Sequence, residues 1–161
     1  YKPLYYKQFE AKSLQFFSMA KKPLCVLVGR GSPLYTLEQN SISAEELAGY
    51  PMVMHDYMDC GPYSDILDRL GLAVSPHCII TSSRAVIHDI LDQTDAYYLS
   101  SDFQNVYKHL DGRFGNISSD CTHMFLLTGT EIQSEIGWIK HSSYNPSTLA
   151  GEFVSMMGQS L

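Results

Sequence analysis

The sequence predicts a layered α/β fold, a sheet with helices packed on its faces. Three observations lead there. Short apolar runs of strand length alternate with stretches of helical period along most of the chain. The 161 residues are 45% hydrophobic and 17% charged, a balance that can bury one ordinary core. No internal repeat and no Ser/Gly/Pro tract divides the middle, so roughly 24 to 136 reads as one continuous unit.

Residues 1–23 are rich in aromatics (Tyr1, Tyr5, Tyr6, Phe9, Phe16, Phe17) and show no clean period, so they are expected to lean on a neighbouring surface. Leu24–Val28 is a buried strand, broken into a loop by Gly29, Gly31 and Pro33. Ser43 followed by Glu46 is a capping-box pattern that starts a short helix, which Gly49 ends. Pro51–Met54 is a second strand. Gly61-Pro62 opens a helix with the stripe Ile66, Leu67 and Leu70, closed by Gly71. Pro76–Ile80 is a strand, and Thr81-Ser82-Ser83 caps a helix whose buried face is Val86, Ile87, Ile90 and Leu91. Ala96–Leu99 is the next strand. Ser101 or Asp102 starts a helix with Phe103, Val106, Tyr107 and Leu110 inward, closed by Gly112. Thr122–Leu127 and Ile136–Lys140 are strands. Asn145-Pro146 starts a last helix with Leu149, Phe153 and Met157 on one face.

Charge and cysteine usage narrow the function classes. Eleven basic residues against seventeen acidic ones give a net charge of −6, and such a surface repels phosphate, so this stretch alone is a poor nucleic-acid grip. No apolar run approaches membrane-spanning length, and no secretory leader precedes the core. The chain starts at Tyr1 and reads as a piece of something longer. Cys25, Cys60, Cys78 and Cys121 form no CxxC pair and match no small disulfide scaffold. Cys25 and Cys78 lie in apolar runs as small hydrophobes, in keeping with a reducing, cytoplasmic setting. Asn116-Ile117-Ser118 is a glycosylation sequon by letter only.

Enzyme motifs are missing. There is no GxSxG elbow, no GxGxxG after a strand and no phosphate-binding Walker loop. The six histidines include no i, i+4 pair, and Cys121 with His123 supplies only two ligands on one strand, so neither metal nor cofactor is expected. Asp56 and Asp59 flank a loop and read as solvated carboxylates. A Cys–His dyad has no favoured pair.

The most informative stretch is Thr81-Ser82-Ser83-Arg84, which follows a strand and opens a helix. Free N–H groups, the helix dipole and two hydroxyls suit a carboxylate, and Arg84 adds a charge-assisted bond. Plain helix capping accounts for the same hydroxyls. Two more polar strand ends, His55-Asp56-Tyr57 and Ser100-Ser101, follow neighbouring strands. In open α/β sheets ligands collect at the carboxyl ends of strands, so the three ends are candidates for one cleft.

The order of these segments resembles the C-terminal effector-binding domain of LysR-type transcriptional regulators. The residues that carry the resemblance are Leu24–Leu34, with its Ser32-Pro33-Leu34 turn, followed by Ile42-Ser43-Ala44-Glu45-Glu46-Leu47-Ala48-Gly49-Tyr50-Pro51. Thr81–Leu99 looks like the next unit of that family. Ile136-Gly137-Trp138-Ile139-Lys140 through Pro146-Ser147-Thr148 and Phe153 looks like its returning strand and last helix. One departure is Gln93-Thr94-Asp95-Ala96, where the family often carries a Gly-x-Gly-like turn.

The resemblance implies a type II periplasmic-binding-protein-like fold with one nearly complete lobe plus parts of a second. Residues 1–23 would be a remnant of lobe one and the crossover, 24–136 lobe two, and 137–161 the return strand and final helix of lobe one. It implies a small, anionic effector held between the lobes and signalling to a DNA-binding domain absent from this chain. It also implies a cytoplasmic homo-oligomer, dimer or tetramer, with no catalytic role and no membrane contact. Ser82 and Ser83 match the family's hydroxyl ligands in position; Arg84, Tyr57 and Ser100 are added on geometric grounds. The alternatives are a free-standing solute-binding protein, a small Cys/His hydrolase, or an oligomerisation module with no ligand.

Overall fold

A computed structural model of the chain describes residues 9–56, 62–72, 77–101 and 122–160. The helix expected from Ser101 or Asp102 to Leu110, together with Tyr57, Asp59, Cys60 and Cys121, lies outside the described residues. The strands are β1 (Leu14–Gly29), β2 (Ser41–Ser43), β3 (Met52–His55), β4 (Cys78–Thr81), β5 (Tyr97–Ser101), β6 (Thr122–Thr128) and β7 (Gln133–His141). The helices are α1 (Ala44–Leu47), α2 (Pro62–Arg69), α3 (Arg84–Gln93) and α4 (Thr148–Ser160), with a 3-10 turn at Pro33–Thr36.

The strand order is β2-β6-β1-β5-β3-β4, with β7 also paired to β1. Strands β2, β6, β5, β3 and β4 all run one way, and β1 runs against them between β6 and β5. β1 changes partners along its length. Leu14–Pro23 pairs with β7 alone, whereas Leu24–Gly29 pairs with β5 and β6. The chain therefore builds a layered body and, leading out of it, a two-stranded ribbon with α4 packed beside it.

The body has helices on both faces of its sheet. Strand alternation sends Val26, Val28, Met52, Met54, Tyr97, Leu99, Phe125 and Leu127 to one side, where they meet Leu47 of α1 and Leu67 of α2. Leu27, Val53, Ile79 and Tyr98 face the other side and meet Ile87, Ile90 and Leu91 of α3. Of the expected α3 stripe, Val86 is exposed instead. The lower end of α3 sits directly on β1. A Cβ at Gly29 would lie 2.2 Å from the Leu91 carbonyl oxygen, and one at Gly31 2.5 Å from the Thr94 nitrogen. Only glycine lets the helix approach so closely.

Local signals settle most of the ends. Ser43 and Glu46 make both bonds of the capping box: the Ser43 hydroxyl accepts from the Glu46 N–H at 3.3 Å, and the Glu46 carboxylate accepts from the Ser43 N–H at 2.8 Å. Gly49 and Gly71 take the positive φ, +106° and +70°, that ends each helix without a Cβ penalty. At the departure from the family pattern, the Thr94 hydroxyl donates to the Ile90 carbonyl at 2.7 Å and accepts from the Ala96 N–H at 3.2 Å. A side chain thus builds the turn that glycines would have made.

Three expectations need correction. Leu14–Pro23 is regular strand despite its missing period, because a register shift between Ser18 and Ala20 flips the alternation midway. Cys78 is exposed, since β4 is the edge strand and lacks a second neighbour, while Cys25 in the central strand is buried. The last helix begins at Thr148, where the Ser147 hydroxyl accepts from the Ala150 N–H at 3.3 Å, and its apolar face points to solvent.

Candidate effector-binding edge

The parallel strands β5, β3 and β4 are neighbours, so their carboxyl ends lie side by side along one edge of the body. That edge carries Ser100 and Ser101 from β5, His55 and Asp56 from the end of β3, and Thr81 with the α3 start from β4. His55 and Thr81 are register partners. His55, Thr81 and Ser100 share the parity of Val53, Ile79 and Tyr98, which places them on the α3 side of the sheet. The ribbon leaves the body at the same edge: Leu24 is opposite Ser101, and Cys25 opposite Ser100.

The sequence-derived candidates fall as follows. Ser82 is exposed in the bend between β4 and α3, and Ser83 is the half-buried N-cap residue of α3. The Ser83 hydroxyl makes no capping bond; the Ser83 N–H instead donates to the Thr81 hydroxyl at 3.2 Å. Plain capping by Ser83 is therefore not what its hydroxyl is used for. Arg84 is the first residue of α3 and exposed, and no acidic residue occupies that first turn. The dipole and the free N–H groups at this end favour an anion. Ser100 is half-buried on β5, its hydroxyl 3.5 Å from the Ser101 carbonyl. Four of the five candidates thus share the edge, and Tyr57 is outside the described residues.

Residue-by-residue sequence reasoning missed the His55–Asp56 pair as a unit. The ring Nδ1 lies 2.6 Å from an Asp56 carboxylate oxygen, with the imidazole mostly buried and the carboxylate exposed. The sequence marks His55-Asp56-Tyr57 as a polar strand end, but the pairing of the ring with the carboxylate shows only in the structure. Among the described residues no group of three or more His, Cys, Asp or Glu side chains is placed to hold a metal ion.

Solved structures share this arrangement. The C-terminal domain of a probable LysR family regulator from Rhodococcus sp. RHA1 superposes with a TM-score of 0.60 at 15% identity, over 89% of this chain and 67% of that one. The effector-binding domain of QuiR, solved in complex with shikimate, matches with 0.61 at 12% identity, over 91% of this chain and 66% of its own. Full-length CbnR on its target DNA matches with 0.64 at 11% identity, over 92% of this chain and 48% of its own. The chain has the fold of a LysR-type effector-binding domain. That is the type II periplasmic-binding-protein-like architecture. The chain spans about half to two thirds of the length of the LysR structures it matches. By sequence, no protein-family model and no curated protein matches it.

At Pro23/Leu24 β1 exchanges β7 for β5 and β6 as its partners. The polar edge sits beside that crossing. Among the described residues no helix is long and apolar enough to cross a membrane.

Proposed function

We propose that this chain is the ligand-sensing portion of a LysR-type transcriptional regulator, with the carboxyl edge of β5, β3 and β4 as its half of the effector cleft. One observation carries the reading: three polar strand ends and the α3 N-terminus, where the Ser83 hydroxyl makes no capping bond, lie side by side next to the strand that leaves the body. In this assignment 24–136 is lobe two, and 1–23 with 137–161 belong to lobe one. The change of partners within β1 supports that division.

The ligand class follows from the donors. Ser82, Ser83, Ser100 and the α3 N–H groups offer hydrogen bonds to an anion, and Arg84 offers charge. A small hydroxylated carboxylate fits this set, in line with the shikimate bound to QuiR. Effector held between the lobes favours one lobe orientation, and the protein responds only as far as its affinity for the two orientations differs. That bias passes through a cytoplasmic homo-oligomer to a DNA-binding domain outside these residues. The reading assigns no catalytic step and no cofactor to the chain.

The test is titration calorimetry with shikimate and related small carboxylates against the chain and its Ser82→Ala/Ser83→Ala variant. Hydrogen bonds to a charged group contribute about 1.5–3 kcal/mol each, so the double change is expected to weaken the best ligand at least about tenfold. The melting temperature should hold, because Ser82 is exposed and the Ser83 hydroxyl makes no capping bond. Unchanged affinity in the variant would remove the site.

A further inference from the structure

A row of residues crosses the sheet at the sensing edge. Thr81 is the register partner of His55, and Ser100 that of Cys25. Carrying the β3–β5 register on by two residues sets His55 level with Ser100. All four side chains lie on the α3 side of the sheet. Two cations stand just beyond this row on the same side. Arg84 opens α3, three residues past Thr81. Lys21 lies on β1, four residues outward from Cys25, and strand alternation gives it the side of Cys25. The register shift in β1 falls earlier, between Ser18 and Ala20, and leaves this parity intact.

Lys21 is exposed and uncommitted. Its register partner is Glu135, yet among the described residues no ion pair joins Lys21 to it or to any other side chain. Lys22 differs on both counts: it alternates to the opposite side, and it is engaged in a contact of its own. The place of Lys21 is fixed from both sides of the partner exchange, by β5 and β6 on Leu24–Gly29 and by β7 on Leu14–Pro23. From β1 to β4 is three strand spacings, about 14 Å. Side chains as long as lysine and arginine reach inwards from the two flanks and leave room between them for a small anion. Exposed Asp56 shares the edge and the chain as a whole is at −6, so an anion held there calls for more than one cation.

We propose that Lys21 is a second charge partner of the effector, so that a carboxylate lies between Arg84 of the body and Lys21 of the ribbon. This role rests on the sensing edge being the effector site, and it adds the ribbon's own contact to that site. A ligand held in this way ties the ribbon to the body. Its affinity then depends on where the ribbon stands, which is the differential contact that a switch in lobe orientation requires.

Titration calorimetry with shikimate and with its uncharged methyl ester tests this on the wild-type chain, Lys21→Gln and Lys21→Arg. Loss of one charge-assisted hydrogen bond should raise the shikimate dissociation constant of Lys21→Gln at least about tenfold. Binding of the ester should be the same in Lys21→Gln as in wild type, and Lys21→Arg should keep its shikimate affinity. Added salt should weaken shikimate binding more steeply in wild type than in Lys21→Gln. The melting temperature should hold in both variants, because Lys21 has no ion pair to lose. Shikimate affinity unchanged in Lys21→Gln but weakened in Ser82→Ala/Ser83→Ala overturns the role of Lys21 and leaves the sensing edge standing. A loss that the ester shares overturns it too, since charge is then not what Lys21 supplies. A wild-type chain that binds no small carboxylate removes the edge and this contact together.

Discussion

Replacing Gly29 by Ala puts the packing of α3 to a severe test. The new Cβ would lie 2.2 Å from the Leu91 carbonyl oxygen and 2.6 Å from the Asp92 nitrogen, both backbone atoms that no rotamer can move aside. The helix must withdraw by roughly 1 Å to restore ordinary contact, and a gap of 0.5–1 Å forfeits about a quarter to a half of each dispersion well. Leu91 and Ile87 are the buried anchors of that helix. A buried leucine makes about 40–60 contacts of 0.1–0.2 kcal/mol, so the loss over the two anchors is on the order of 2–4 kcal/mol after partial relaxation. For a chain of this size each kcal/mol shifts the melting temperature by about 2–4 °C, so thermal unfolding by circular dichroism should show a fall of roughly 5–15 °C. The matched control is Gly151→Ala, where nothing lies within 4 Å and helix propensity favours Ala by about 0.5–1 kcal/mol, so the midpoint should rise slightly. A Gly29→Ala midpoint within about 2 °C of wild type would refute the close seating of α3 on β1.

Three further outcomes follow from the same structure. The Glu46 carboxyl is held below its usual 4.5 by the Ser43 backbone N–H first, then by the Gln39 side chain and the Ser43 hydroxyl. A depressed folded-state pKa contributes stability above the unfolded value that is lost as pH falls through the folded one. Carboxyl titration by NMR should place Glu46 under 4.5, and Ser43→Ala should move it partway back. Ser43→Ala should also cost about 0.5–2 kcal/mol by denaturant unfolding, as loss of a helix cap does, whereas an unchanged midpoint would mean that α1 does not depend on its box. Burial first, and Cys78 second, push the Tyr97 phenol up to about 12 from 10.0. The unfolded chain ionises first as pH rises from 10 towards 12, so the fold loses stability in that window, and Tyr97→Phe should lessen the loss measured by alkaline denaturation.

The layered body was legible in the sequence because its signals are local. The Ser43/Glu46 box, the glycines at 49 and 71, and the alternating apolar runs each specify a conformation through neighbours a few residues away. The ribbon was half legible: Ile136–Lys140 reads as a strand, but its partner 14–23 does not, because a bulge at Met19 erases the period and the pairing joins residues far apart in the chain. The candidate edge was half legible. Ser82, Ser83 and Ser100 could be placed after strands, but only the strand order β5-β3-β4 puts those ends side by side. His55 was placed at a polar strand end, but its pairing with Asp56 depends on the ring orientation, which the sequence does not carry. The exposure of α4 was hidden for the opposite reason: Leu149, Phe153 and Met157 have the spacing of a buried face, and spacing does not say what covers it.

The most direct measurement is a backbone amide shift map of the chain titrated with a saturating small carboxylate such as shikimate. Binding at the sensing edge predicts the largest shifts at Thr81–Arg84, His55–Asp56 and Ser100–Ser101, with Leu24 and Cys25 moving beside them. Shifts confined to the Gly29 end of the sheet, or a carboxylate that binds while leaving Ser82 and Ser83 unmoved, would contradict the assignment of this edge to the effector.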